Sequence, residues 1–253
     1  MSDALGSVRG NSVAETWRTA FVTALKSKGH ECSPLVVTIA PPPGWTHREP
    51  STIRTALDAK LQSNPKLYST ATTAGLVFPS SLWERYRPKG RDFFFEQFRE
   101  RTGPRLRQAD LRNRKGTYFE RLVAYGPSRT NQLKDILDAW DSGTSRRSVL
   151  QAVVFDPAKD HSRSQYLPFP CLDYVGFAPV SGRGLSMTAF YAMQYLFDRA
   201  FGNYVGLCAL GTFVAEQLGM PFFQLTCVSG VATLGTLRMK EAEALASEFE
   251  GCP

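Results

Sequence analysis

Residues 202–219, GNYVGLCALGTFVAEQLG, constrain the fold more than any other stretch of this chain. They predict a helix rich in small and apolar residues, and a helix without a polar face is stable only when other elements enclose it. The chain must therefore build a core around it, for which 253 residues suffice. No apolar run approaches the ~20 residues of a membrane span. The N-terminus, MSDALGSVRGNS, lacks the charged-then-apolar pattern of an export signal, so a cytoplasmic protein without membrane attachment is expected.

Other segments supply the enclosing elements. In SVAETWRTAFVTALKSK (12–28), Ser12 and Glu15 have capping-box spacing, and Trp17, Phe21, Val22 and Leu25 recur at helical spacing. SPLVVTIA (33–40) predicts a strand that stops at PPPG, STIRTALDAKLQS (51–63) a helix, and TTAGLVFP (72–79) a strand or extended segment. NQLKDILDAWD (131–141) predicts an amphipathic helix with Leu133, Ile136, Leu137 and Trp140 on one face. SVLQAVVFDP reads as an interior strand, GRGLSMTAFYAMQYLF contains another, PFFQLTCVSGVATLG predicts a third, and TLRMKEAEALASEFE a final helix. No internal repeat or low-complexity linker divides the chain, so one α/β (α+β) domain over 1–253 is expected.

The formal charge of +7 is concentrated: residues 85–115 hold eleven Lys/Arg against four Asp/Glu, the whole excess. Any affinity for anions is expected there. Within it, FFFEQFRER places Phe94, Phe95 and Phe98 as a core stripe with Arg99 and Arg101 solvated beside it. That pattern argues against a nucleic-acid platform, which would expose its aromatic residues. Five scattered cysteines without a C-x-x-C pair, and His30, His47 and His161 apart from one another, predict neither a disulfide framework nor a metal site. Cys208 and Cys227 read as core residues, Cys32 and Cys252 as incidental ones.

Three stretches carry a resemblance to the thymidylate synthase and pyrimidine hydroxymethylase superfamily. NQLKDILDAWDSGTSRRSVLQAVVFDP resembles its helix, Ser-Arg-Arg and strand; LPFPCLDYVGF its proline-cysteine turn; and GLSMTAFYAMQYLFDRAFGNYVGLCAL its Leu-Ser strand and asparagine helix. The likeness is strongest over residues 117–227, and residues 1–116 diverge. It implies a mixed sheet with flanking helices and a homodimer formed through the sheet. It also implies that Cys171, behind Pro168 and Pro170, is a nucleophile, that Arg146 and Arg147 reach a substrate phosphate across the dimer, and that Asn203 reads the pyrimidine ring. Tyr118 and Arg121 loosely match a tyrosine-to-arginine turn of the family. The expected activity is a methyltransferase- or hydroxymethyltransferase-type transfer of a one-carbon unit to carbon 5 of a pyrimidine nucleotide or nucleoside. The expected donor is 5,10-methylenetetrahydrofolate, with no metal.

Several family positions differ. Leu172 stands where a histidine follows the cysteine, Ala192 and Met193 replace the phosphate-gripping Arg-Ser pair, and Tyr195 replaces the aspartate that contacts folate. SGVATLG lacks the His-x-Tyr that holds the sugar. Asp173, Gln194 and Asp198 lie close enough in sequence to supply other polar contacts. The residues themselves leave alternatives open. By its apolar flanks alone Cys171 reads as an inert buried thiol. Asn203 reads equally as a helix cap, and Arg146 and Arg147 as helix-terminal arginines. Consecutive residues on an extended segment point to opposite sides, so at most one of those arginines faces a given ligand. Folate-independent nucleotide chemistry on the same fold, or a non-catalytic nucleotide-binding dimer, are the alternative functions.

Overall fold

The computed structural model describes residues 6–48, 51–144, 146–161 and 170–249. Ser145, Pro168 and Cys252, named above, lie outside them. Seven strands form one mixed sheet: β1 (Gly6–Gly10), β2 (Glu31–Cys32), β3 (Leu35–Ile39), β4 (Gln151–Val153), β5 (Leu172–Val180), β6 (Gly184–Tyr195) and β7 (Phe222–Thr233). The order is β1-β3-β7-β6-β5-β4, with β2 beside β7. β1 and β3 are parallel, as are β6 and β7; the other pairs are antiparallel.

Helices cover one face of this sheet. Along it Val8, Val37, Cys227, Ala189, Val175 and Ala152 form a row across six strands, and all are buried. Against this face lie α1 (Val13–Lys26) and α10 (Phe201–Gln217). Ser12 caps α1 by accepting from the Glu15 N–H, as the spacing predicts. Its Trp17, fully buried, stacks on Phe21 and meets Phe201 and Phe249 edge-on. The Trp17 indole N–H donates to the Leu196 carbonyl at 2.7 Å, fixing the wide turn Leu196–Ala200 that leads into α10.

Helix α10 is buried over nearly its whole length, with only Thr212 and Glu216 exposed, as its composition requires. Its outer neighbour is α3 (Thr70–Val77), so residues 72–79 belong mostly to a helix and not to a strand. Ser69 caps α3 through the Thr72 N–H. Two glycines of α10 then allow unusual closeness. A Cβ at Gly202 would sit 2.5 Å from Thr73 Cβ, and one at Gly206 would sit 2.6 Å from Val77 Cβ. Threonine and valine there favour a strand locally, but contact with a glycine-lined helix overrides that preference.

α2 (Thr52–Gln62) precedes α3, and between α3 and α10 run α4 (Ser80–Tyr86), α5 (Gly90–Gln97), α6 (Gly103–Ala109), α7 (Tyr118–Val123), α8 (Gln132–Asp141) and the short α9 (Pro157–Asp160). Phe94, Phe95 and Phe98 are buried in an aromatic cluster with Phe78, Trp83, Phe119 and Phe213, as a core stripe requires. β4 lies at the sheet edge and alternates exposed and buried residues, so SVLQAVVFDP is not interior. Cys32 is fully buried in β2, not incidental; β2 is too short to show a periodic pattern. The last helix, α11 (Met239–Glu248), packs on α1. No helix among the described residues is long and apolar enough to cross a membrane.

The α3–α10 contact gives a paired expectation. Gly206→Ala inserts a methyl where there is no room and costs about 1–3 kcal/mol, read as a lower midpoint in thermal or urea unfolding. Gly75→Ala, in α3 with open space around its Cβ, is expected to raise stability by about 0.5–1 kcal/mol. Equal effects of the two would contradict this packing.

Candidate functional site

A cavity of about 330 Å³ opens where the C-terminal end of β6, the start of β5, α3 and the start of α10 meet. Cys171, Tyr118, Arg121, Gln194 and Asn203 all line it, so five expected site residues from distant segments converge. Arg146, Arg147 and Asp173 are not among its lining residues.

Backbone geometry aims the cysteine. Cys171 precedes β5, and its carbonyl accepts from the Ala192 N–H at 2.9 Å. The next register position carries a bulge: Leu172 pairs with Tyr191 and Tyr174 with Phe190, leaving Asp173 as the extra residue. Bulges re-aim neighbouring side chains, and this one turns the chain at the cavity wall. The Tyr118 hydroxyl lies against the backbone amides of Cys171 and Leu172. Its ring meets Tyr191 edge-on at 6.3 Å. The described cysteines form no disulfide, and Cys32, Cys208 and Cys227 are buried while Cys171 is only partly so.

Two amide side chains carry unused polar atoms. Gln194 is 2% exposed; its Oε1 accepts from the Tyr204 and Ser229 hydroxyls at 2.8 and 2.9 Å, which leaves Nε2 without a partner. Asn203, 3% exposed, has no partner at Oδ1. Thr73 Oγ1, beside them in the cavity wall, is also unpartnered. Buried polar atoms in native proteins are nearly always hydrogen-bonded, so these three around one cavity call for partners, from a ligand or ordered water, inside it. Asn203 lies inside α10, whose cap position is Ala200, and so does not cap the helix.

Electrostatics divide the cavity. Arg112, Lys115, Arg121 and Arg199 line it, and no Asp or Glu does among the described residues. Arg121 is spoken for. It donates to both carboxylate oxygens of the buried Asp160 and to the Val154 carbonyl, so it acts as part of the wall. Arg112 and Arg199 both stack on the Tyr68 ring, 3.7 and 4.5 Å from its centre. Burial, then the Asp173 charge, push the Cys171 thiol up, while the Arg199 charge pulls it down. Asp173 itself is raised to about 6 by burial and by the Asp160 charge. Asp198 serves the fold, accepting from the Thr236 hydroxyl at 2.8 Å.

Arg199 and Thr73 are the site residues that sequence reading missed. The signal for Arg199 was present: it stands four residues before Asn203, one helical turn on the same side. Thr73 was hidden because its segment reads as extended. Arg146 and Arg147 occupy an exposed turn beyond α8; Arg146 Nε donates to Ser148 Oγ, and Arg147 borders a shallow groove with Val180, Gly184 and Pro221. That groove lies at the end of β5 opposite Cys171, ~27 Å away along a nine-residue strand.

The fold and site define a mixed α/β protein with a cation-lined cavity holding one partly buried thiol and two unsatisfied amides. No known family profile matches the chain, and no curated protein matches it.

The thiol's electrostatics can be read directly. Alkylation of Cys171 by iodoacetamide, located by peptide mapping, is expected to rise with a pH midpoint above that of an ordinary cysteine. Asp173→Asn removes a negative neighbour, stabilises the thiolate and lowers the midpoint; Arg199→Gln raises it. Midpoints indifferent to both changes would refute these neighbours.

Proposed function

We propose that this protein is an enzyme that binds a pyrimidine nucleotide in the Cys171 cavity and activates carbon 5 of the ring through a Cys171 adduct. The observation that carries the reading is the meeting of Cys171, unpartnered Gln194 Nε2 and unpartnered Asn203 Oδ1 in one cavity. A pyrimidine edge offers neighbouring carbonyl and N–H groups. The Gln194 amide donates to the one and the Asn203 carbonyl accepts from the other, which satisfies both buried atoms at once. The thymidylate-synthase-like motifs around Cys171 support the same substrate class.

For a uracil ring the step balances as follows. The Cys171 thiolate bonds to carbon 6, and the carbon 5–carbon 6 π pair moves through carbon 5 toward the carbon 4 oxygen. Carbon 5 then takes a proton from water. Loss of its original proton and expulsion of sulfur restore the ring, with one hydrogen exchanged for a solvent hydrogen. Covalent catalysis divides a hard step into easier ones, because free pyrimidine carbon 5 is a weak nucleophile. Burial and the Asp173 charge hold the Cys171 thiol above its ordinary value, and Arg199 partly offsets them in favour of the thiolate that starts the sequence.

Methylenetetrahydrofolate does not fit the residues present. A pterin edge donates from its ring N–H and amino group, and among the described residues no carboxylate lines the cavity to accept them; Tyr195 stands at the family's aspartate position. The proposal is therefore the folate-independent form of the chemistry, in the cytoplasm.

We place a second copy on the uncovered sheet face. There Val36, Val228, Phe190, Tyr174 and Val153 form an apolar row across five strands, with Phe190 38% and Val153 41% exposed. A two-fold axis across the strands brings the Arg147 end of one copy over the Cys171 end of the other. This supplies the cross-dimer arginines that one chain cannot supply to itself.

Two measurements test the reading. With UMP or dUMP in deuterated water, carbon 5 exchange followed by NMR is expected for the native protein and is reduced about 10³-fold or more in Cys171→Ser; undiminished exchange in that variant would sink the nucleophile. Light scattering is expected to show a dimer that Phe190→Lys converts to monomer, and a native monomer would exclude the shared site.

A further inference from the structure

The basic segment 85–115 contributes more cations than the Cys171 cavity uses. A second cavity of about 480 Å³ lies beyond Lys115, Gly116 and Arg121, which line both. Its cations are Arg107, Arg114, Lys115, Arg121, Arg129 and Lys159, against only two carboxylates, Glu120 and Asp156. Those two are already matched, Glu120 by Arg107 and Asp156 by Lys159 at 3.6 Å. Lys115 and Arg121 share the buried Asp160, and Arg129 pairs with Glu100 at 3.4 Å. Of the six, Arg114 alone forms no ion pair among the described residues, and the six cations outnumber these four carboxylates. At the partition, Arg121 Nε is a buried donor without an acceptor, in a residue 7% exposed. Gly116, at φ +94°, keeps the partition free of a side chain.

We propose that the phosphates of the nucleotide whose ring sits at Cys171 pass over Lys115 and Gly116 into this second cavity, so that the substrate is a nucleoside triphosphate. This deepens the pyrimidine reading and rests on it. Cations line both cavities, and no Asp or Glu lines the wall of the first among the described residues. There Arg112 pairs with Asp110, and Lys115 and Arg121 with Asp160, leaving a net positive charge for a chain of phosphates. Each added phosphate brings acceptor oxygens that match guanidinium donors in pairs. A nucleoside or monophosphate would not reach Arg114 or the net positive charge of the second cavity.

The test is titration calorimetry with UMP, UDP, UTP, their deoxy counterparts and free tripolyphosphate, on native protein and on Arg114→Gln/Lys159→Gln. Both replaced residues are exposed and lie outside the Cys171 cavity, and an unchanged melting temperature confirms the fold. Affinity is expected to rise from mono- to triphosphate by about tenfold or more. In the double variant that ratio falls toward one while UMP binding and its carbon 5 exchange persist. UMP and UTP binding equally, or a ratio untouched by the double variant, overturns the proposal; carbon 5 exchange with UMP then shows that the Cys171 reading survives. If tripolyphosphate binds but no nucleotide protects Cys171 from alkylation, the anion is a separate ligand and the single-substrate proposal is overturned together with the pyrimidine reading. Tighter, steeply salt-dependent binding of a uridine-containing oligonucleotide than of UTP also overturns it, in favour of a polynucleotide.

Discussion

The contact between α10 and α3 across Gly202 and Gly206 is the constraint on which the rest of the structure depends. Two helices that touch backbone to side chain cannot slide without collision, because packed interiors leave few voids to absorb movement. Their contact fixes Thr73 and Leu76 on one wall of the cavity and Asn203 on the other. Trp17 pins the same region from below by holding Leu196, so the turn carrying Arg199 inherits its position from the core.

The sheet adds the other half of the site. β6 presents Met193 and Gln194 to the cavity while its preceding residues alternate between the helix-covered face and the open face. β5 begins beside it with a bulge just after Cys171, which breaks the ladder's regular alternation there. The buried pair of Arg121 and Asp160 stands behind this corner and keeps a negative charge near Asp173. Burial and Asp173 together outweigh Arg199 and hold the thiol above its ordinary value, and a ligand that brings or removes charge shifts that difference.

Much of the fold is legible in the sequence where one physical pattern dominates. The caps and stripes of α1, α2 and α8 follow helical spacing, and β3, β6 and β7 follow β-branched or alternating runs. Residues 72–79 were misread because their β-branched side chains suit a strand, and only the glycine surface of α10 makes a helix the better partner. The short edge strand β4 was misread because Val153 is apolar yet faces away from the core.

For the site, local sequence determined the identities of the chemical groups: a cysteine after proline, an asparagine after glycine, and a basic segment holding the whole charge excess. Tertiary structure alone decided which of them meet. It brought Gln194 and Asn203 into one wall with unsatisfied atoms, took Arg121 into a pair with Asp160, added Arg199, and left Arg146 and Arg147 at the far end of β5. The reason is physical. Residue type sets what a group can donate, accept or attack, whereas burial and distance, which set charge state and partners, arise only when segments a hundred residues apart are packed together.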